Sequence, residues 1–438
     1  MQSLARTSHP HHTDAVLREQ HEPEPAAGAR FKNQDMADHS ITDEPPPAHH
    51  GLKESVLARL FGGLAVGTLT VVTPEGRRLV WRAPVCGPEA TLVLHRWRAM
   101  RRLVTGGDLG FSEAYIAGDW SSPDLPAFIE LAALNIPRLA ARVAALPPVR
   151  LWNRMRHALR ANSKAGSRRN ISFHYDLGNA FYRAWLDDSM SYSSAIYTSP
   201  DQRLEDAQKA KIERITTLLD TQPGQQVLEI GCGWGALAGA LGRSGAHVTG
   251  ITLSKEQLAY GQDMLRADPE LAARVELRLQ DYRDVTRRYD RIVSIEMLEA
   301  VGEAYWASYF AKLRACLKPG GQAVLQVITI DEDRFEDYKR KTDFIQRHIF
   351  PGGMLPTPKH IATHAHDAGL ELVGQECFGL SYANTLAAWR TRFLAAQPEM
   401  ERLGFNQDFC RLWTYYLSYC EGGFRAGAID VGLYTLRG

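Results

Sequence analysis

The chain has 438 residues, 45% hydrophobic and 23% charged, which supplies apolar surface for a packed core and excludes collagen, coiled coil and wholesale disorder. Lys and Arg number 51 against 50 Asp and Glu, a net charge of +1, so nothing draws the whole molecule to nucleic acid and any basic surface is local. The length fits two domains and a tail. No run of eighteen apolar residues and no apolar signal core are present, so the expected compartment is the cytoplasm.

Residues 1–50 are poor in aliphatics and carry PEPAAG and DEPPPAHH, a composition expected to stay disordered. The histidines of this tail (among them His9, His11, His12, His49 and His50) have no metal-ligand spacing, and no metal site is expected. Residues 51–165 read as a small α+β domain followed by a linker. Its strand-like runs GTLTVVTPEGRRLVW and ATLVLHRW are broken by a PEG turn, and GGDLGFSEAYIAGDW follows. From Leu131 to Tyr175 there is no acid, while Arg138, Arg142, Arg150, Arg154, Arg156, Arg160, Lys164, Arg168 and Arg169 alternate with Leu146, Trp152, Met155 and Leu159. This stretch reads either as a basic amphipathic element on an anionic lipid surface or as a solvated linker.

From about Asp206 strands alternate with helices: QQVLEI, HVTGI, RVELRL, DRIVSI and QAVLQVITI are strand-like, and ALAGALGRSG and LSKEQLAYGQDML are helical. Such βαβ repetition predicts a largely parallel sheet whose ligands bind at the carboxyl ends of its strands. The cysteines Cys86, Cys232, Cys316, Cys377, Cys410 and Cys420 show no CxxC spacing, so reduced thiols are expected rather than disulfides or zinc.

The strongest local signal is Glu229-Ile230-Gly231-Cys232-Gly233-Trp234-Gly235, where a strand meets a helix. Gly231 and Gly233 let the backbone bend and approach a ligand, and the following helix turns its N-terminal amides toward it. A dinucleotide site expects G-x-G-x-x-G and an acid at the end of the second strand. Here the run is G-x-G-x-G and the second strand ends Gly250-Ile251-Thr252-Leu253, which disfavours NAD and favours S-adenosylmethionine. Ser254 and Gln257 form an S-x-x-Q capping pattern at a helix start that also faces the cofactor. Asp281, in LQDYRD, is placed either to accept from the adenine amino group or in a surface turn.

Together with GITLSKEQ, SIEMLEAVG, FIQRHIFPGGMLP, YYLSYCEGGFRAG and FHYDLGNAFYRAWLDDSMSYSSAIY, these motifs resemble the cyclopropane-fatty-acyl-phospholipid synthase family over nearly everything after residue 55. The resemblance implies an α/β fold: a Rossmann-like class I methyltransferase sheet with helical insertions over residues 166–438, beside the small N-terminal domain and tail. It also implies methyl transfer from S-adenosylmethionine to a cis double bond of a phospholipid acyl chain. By position, Tyr175, Tyr192 and Ser193 would hold the methionyl end of the cofactor and Gly231 and Gly233 its backbone. Thr252, Leu253 and Gln257 would hold its ribose side, Asp281 and Tyr282 its adenine, with Ile295 on the adjoining strand end.

The family's proton acceptor is a bound bicarbonate, for which the matching positions are Ser194, Glu299, Gln326, Ile328 and Tyr382. Ser194 stands where relatives carry cysteine and Gln326 where they carry histidine, which sets bicarbonate against a protein carboxylate as the base. Glu299 ranks first for that role and Glu296, where many relatives have glycine, second; Glu421 is a further acid at an unusual position. Cys420 matches a cysteine treated as an active-site residue, although methyl transfer to an alkene needs no thiolate. Tyr192, Tyr382 and Trp389 offer aromatic faces to a carbocation. The expected partner is an anionic bilayer at the inner face of the membrane, and a homodimer is left open. Alternatives are a methyl-branched or methylene product, a methyltransferase of soluble small molecules, a nicotinamide dehydrogenase and a silent lipid-binding protein.

Overall fold

The computed structural model describes residues 51–144 and 177–438, which belong to one compact unit. The tail, Tyr175 and the basic stretch beyond residue 144 lie outside the described residues.

The helix Leu52–Phe61 precedes a four-stranded sheet of β1 (Val66–Val72), β2 (Arg78–Arg82), β3 (Val85–Leu94) and β4 (Trp120–Ser121), in the order β2-β1-β3-β4. The PEG turn closes the β1–β2 hairpin: Gly76 has φ +83° and its N–H donates to Thr73 O at 2.9 Å. Alternation along β1 puts Leu69 and Val71 inside, as expected for a sheet covered on one face. The helix Leu125–Ala144 covers that face; Asn135 is buried on it, its side-chain oxygen accepting from Ala65 N–H and its amide donating to Val66 O.

The larger sheet holds β5 (Gln226–Ile230), β6 (His247–Thr252), β7 (Val275–Leu279), β8 (Tyr289–Ile295), β9 (Leu317–Ile330), β10 (Glu371–Cys377) and β11 (Ile429–Arg437), in the order β10-β11-β9-β8-β5-β6-β7. Pairing is parallel from β9 through β8, β5 and β6 to β7, whereas β11 runs antiparallel to both β9 and β10. Near-continuous burial of β5, β6 and the centre of β8 reflects helices on both faces. Expected strands and observed strands coincide within a residue for β5 to β8, while β9 begins at Leu317, five residues before the expected QAVLQVITI run; β10 and β11 add the antiparallel edge.

Helices Gly379–Ala395 and Gln407–Arg425 pack on each other and carry the aromatic part of the core. Phe181 touches Trp413 at 4.9 Å and Phe393 at 6.2 Å between ring centroids, and Trp185 meets Trp389 at 5.7 Å. The same hydrophobic cluster continues through Tyr415 and Trp120 into the four-stranded sheet. No helix among the described residues is long and apolar enough to cross a membrane.

Candidate active site

The site begins where β5 ends. Gly231 and Gly233 sit at φ +82° and +53°, a region costly for any residue with a Cβ. The N–H groups of Gly231 and Cys232 both donate to Ile251 O, tying the turn to β6. A Cβ added at Gly233 would meet nothing within 4 Å, so one flank of the turn is open to a ligand while the helix Ala236–Arg243 starts directly behind it.

Thr252 closes β6, and its hydroxyl donates to Gln257 Oε1 at 2.8 Å while accepting from Ser254 N–H. Ser254 caps the helix Lys255–Arg266 by accepting from Gln257 N–H. The reciprocal half of a capping box is replaced by the Gln257–Thr252 contact. Leu253 is half-buried between them. After β7, Asp281 is buried and accepts from Arg283 through both carboxylate oxygens, and Tyr282 stands edge-on to Tyr309. Ile295 ends β8. These residues line the carboxyl edge of one parallel sheet, the edge that βαβ topology reserves for ligands.

The irregular segment before the helix Leu204–Leu219 brings Tyr192, Ser193 and Ser194 to the same edge. Tyr192 shares a hydrogen bond of 2.8 Å with the Tyr416 hydroxyl and packs against Trp389 at 5.3 Å. Ser193 Oγ accepts from Lys211 Nζ at 2.8 Å. Lys211 is buried, and burial pulls its ammonium down to about 8.

Two carboxyl groups occupy the turn after β8. Glu296 stands in the left-handed region at φ +49°. Its Oε1 accepts from Ser194 N–H at 2.8 Å and from Gln326 Nε2 at 2.7 Å, and its Oε2 accepts from the Tyr382 hydroxyl at 2.7 Å. Burial raises the Glu296 carboxyl, opposed by these three donors and by the Lys211 ammonium. Glu299 lies one turn on; its Oε1 accepts from Ile328 N–H at 2.5 Å and its Oε2 has no hydrogen-bond partner. Burial, then the neighbouring Glu296 charge, pushes Glu299 up to about 8, which favours its protonated form at neutral pH. Ser194, Gln326 and Tyr382 thus converge on Glu296, and Ile328 alone of the five matched positions donates to Glu299.

The remaining candidates sit differently. Glu421 is fully buried between Arg390 and Arg425, an ion triplet that uses its charge structurally. The Cys420 thiol is pushed far up by burial and by the charges of Asp343 and Glu296, so it is no thiolate. Trp389 is fully buried and backs Tyr192 and Tyr382 instead of facing a ligand. The six cysteines are unpaired. Lys211 was not singled out from sequence, though its spacing held a signal: Leu204, Ala207, Ile215 and Leu219 are the buried stripe of its helix, and Lys211 falls on that stripe. Glu229, at the start of the glycine run, is also buried and pushed up to about 8, with Lys211 opposing the shift.

Parallel strands with a glycine turn after β5, a hydroxyl–amide pair after β6 and a buried acid after β7 define a Rossmann-like S-adenosylmethionine-dependent methyltransferase. The residues present fit that cofactor: open space at Gly233, hydrogen-bonding groups at Thr252 and Gln257, and an acid at Asp281. The chain belongs to the mycolic acid cyclopropane synthetase family, whose sequence pattern matches residues 162–433. It is 39% identical over 357 residues to the tuberculostearic acid methyltransferase UfaA1 of Mycobacterium tuberculosis, covering 79% of this chain and 83% of that protein. To the cyclopropane-fatty-acyl-phospholipid synthase of Escherichia coli K12 it is 35% identical over 342 residues, with coverage of 76% and 83%. The solved structure of the mycolic acid cyclopropane synthase CmaA1 complexed with SAH and CTAB superposes with a TM-score of 0.58 at 31% identity, covering 62% of this chain and 98% of that one.

Proposed function

We propose that this methyltransferase alkylates the cis double bond of a phospholipid acyl chain and forms a cyclopropane ring. The observation that carries the reading is the constellation of Glu296, Tyr382 and Tyr192 at the carboxyl edge of β8. It places a hydrogen-bonded carboxyl group and aromatic side chains together. S-adenosylmethionine supplies an electrophilic methyl group. The alkene is the nucleophile, so what the protein must do is align the chain, exclude water, tolerate a cation and accept a proton. Aromatic faces stabilise cations by about 0.5–2 kcal/mol each, and the buried Trp389 fixes the rings of Tyr192 and Tyr382 from behind.

A second reading has support from the 39% identity to a relative named as a tuberculostearic acid methyltransferase. If a hydrogen shifts to the cationic carbon before the proton leaves, the product is a methylene chain instead of a ring, and a methyl-branched chain after reduction by a hydride donor. A bound bicarbonate has less support than a protein carboxylate, because Ser194, Gln326 and Tyr382 direct their donors at Glu296. Docking on an anionic bilayer is part of the proposal. It draws on the basic residues from Arg150 to Arg169 and on the edge strand β2, which exposes Arg78, Val80 and Arg82.

The test is incubation with S-adenosylmethionine and vesicles of cis-unsaturated, trans-unsaturated or saturated phospholipid, read by mass spectrometry of the acyl chains. A gain of one CH₂ confined to the cis lipid is expected, and a gain that is absent or indifferent to the double bond defeats the proposal. Replacing Arg154, Arg156 and Arg160 with Glu is expected to weaken sedimentation with anionic vesicles; unchanged binding at low salt would move the contact elsewhere.

A further inference from the structure

Three features of Glu296 lack a structural explanation. Its φ of +49° is one that a β-carbon disfavours by roughly 1–2 kcal/mol, and such strain persists only where surroundings impose it. Its carboxyl group collects a backbone N–H from Ser194, an amide from Gln326 on β9 and a hydroxyl from Tyr382 on the helix Gly379–Ala395. These are three donors from three separated parts of the chain. Glu296 N–H also donates to Gln326 O at 2.8 Å, so backbone and side chain are both fixed. Despite this, the residue keeps partial exposure at the carboxyl edge of β8. A carboxylate needed only for stability would do better with the fixed positive charges that Glu421 has in Arg390 and Arg425.

We propose that Glu296 is the base of the reaction, the group that removes the proton from the methylated acyl chain, so that turnover requires no bicarbonate. The inference rests on the methyl-transfer reading above. Burial raises Glu296 as well, but three donors and the Lys211 ammonium oppose it, whereas Glu299 and Glu229 are each pushed up to about 8 and the Cys420 thiol and Tyr382 hydroxyl are pushed far up. Asp187 is engaged by Ser189 through N–H and hydroxyl, and Asp343 caps the helix Phe344–His348.

The alkene π pair forms a bond to the methyl carbon as the carbon–sulfur bond breaks, and S-adenosylhomocysteine departs. The acyl chain then bears the positive charge. Glu296 forms an O–H bond with a hydrogen of the added methyl, and the C–H pair closes the third side of the ring. After a prior hydride shift the same proton removal leaves a methylene group, so the assignment holds for either product. Glu296 afterwards returns the proton to solvent.

The variants Glu296→Gly and Glu296→Gln separate base from scaffold, glycine being at ease at φ +49°. Both are expected to bind S-adenosylhomocysteine within about threefold of wild type by calorimetry and to lose at least 100-fold in turnover. Removing the side chain vacates a cradle of three donors, so formate or bicarbonate at tens of millimolar should raise the melting temperature of Glu296→Gly and restore its turnover at least tenfold. Neither anion should rescue Glu296→Gln, whose amide still fills the cradle, and wild type should keep its rate in bicarbonate-depleted buffer. A Glu296→Gln enzyme within threefold of wild type overturns the proposal, as does a wild type that stops without bicarbonate and resumes when it is restored. If wild type itself fails to methylate vesicles, the reading of the reaction fails separately. The anion-binding arm still decides the cradle, because a Glu296→Gly protein that formate does not stabilise overturns it.

Discussion

Glu299→Gln probes the electrostatics of the carboxyl pair most sharply. Glu299 ionises at an ordinary value of 4.5 when unfolded and near 8 in the fold, through burial and the adjacent Glu296 charge. Because the folded value is the higher one, the folded state binds a proton that the unfolded state has lost between pH 4.5 and pH 8, and stability falls as pH rises through that window. The accumulated loss at pH 8 is about 4 kcal/mol from this one group. The glutamine variant cannot ionise and keeps an acceptor for Ile328 N–H. Its amide N–H groups face a position where Glu299 Oε2 has no partner, and an unsatisfied buried donor returns about 1–3 kcal/mol of the gain. Glu299→Gln is therefore expected to be more stable than wild type by about 1–3 kcal/mol at pH 8 and no more stable at pH 5. Denaturant midpoints at pH 5, 6.5 and 8 measure this. Parallel pH profiles for the two proteins would refute a neutral Glu299. A turnover collapse in this variant at pH 7, with cofactor binding intact, would return the base to Glu299.

Tyr382→Phe removes one donor from Glu296 Oε2. A hydrogen bond to a charged group contributes about 1.5–3 kcal/mol, so turnover should fall roughly 10- to 100-fold with S-adenosylhomocysteine affinity unchanged in calorimetry. Glu421→Gln leaves Arg390 and Arg425 without their buried counter-ion and should lower the denaturant midpoint by about 2–3 kcal/mol equivalent. The purified variant should still methylate, and its inactivity when folded would make Glu421 part of the site. Cys420→Ala should retain at least a third of wild-type turnover, since the thiol is neutral; loss of activity in a folded variant would show that the sulfur takes part.

The parallel core was legible because period, glycine turns and strand length agree: β5 to β9 each follow a short apolar run. β10 and β11 were harder to read, since β10 alternates exposed and half-buried residues and β11 pairs with β9 from the far end of the chain. The glycine turn and the residues after β6 and β7 are local in sequence, so their common edge followed from topology. The carboxyl pair is different. Glu296 and Glu299 stand three residues apart, but which one gathers donors depends on Ser194, Gln326 and Tyr382, which lie 102, 30 and 86 residues away. The match to the family's anion-site positions ranks Glu299 first; the long-range hydrogen bonds distinguish the two. Lys211 escaped notice because a lysine on an apolar stripe is read as a snorkelling surface residue, and only the packed fold encloses it.

The most direct measurement is the fate of the methyl hydrogens. The protein is incubated with S-adenosylmethionine carrying a trideuterated methyl group and vesicles of cis-unsaturated phospholipid, and the released fatty acids are examined by mass spectrometry and NMR. The expectation is acyl chains whose added carbon keeps two deuterons, with upfield ring resonances. Added carbon that keeps all three deuterons, or lipid that takes up no label from a protein that binds the cofactor, would contradict it.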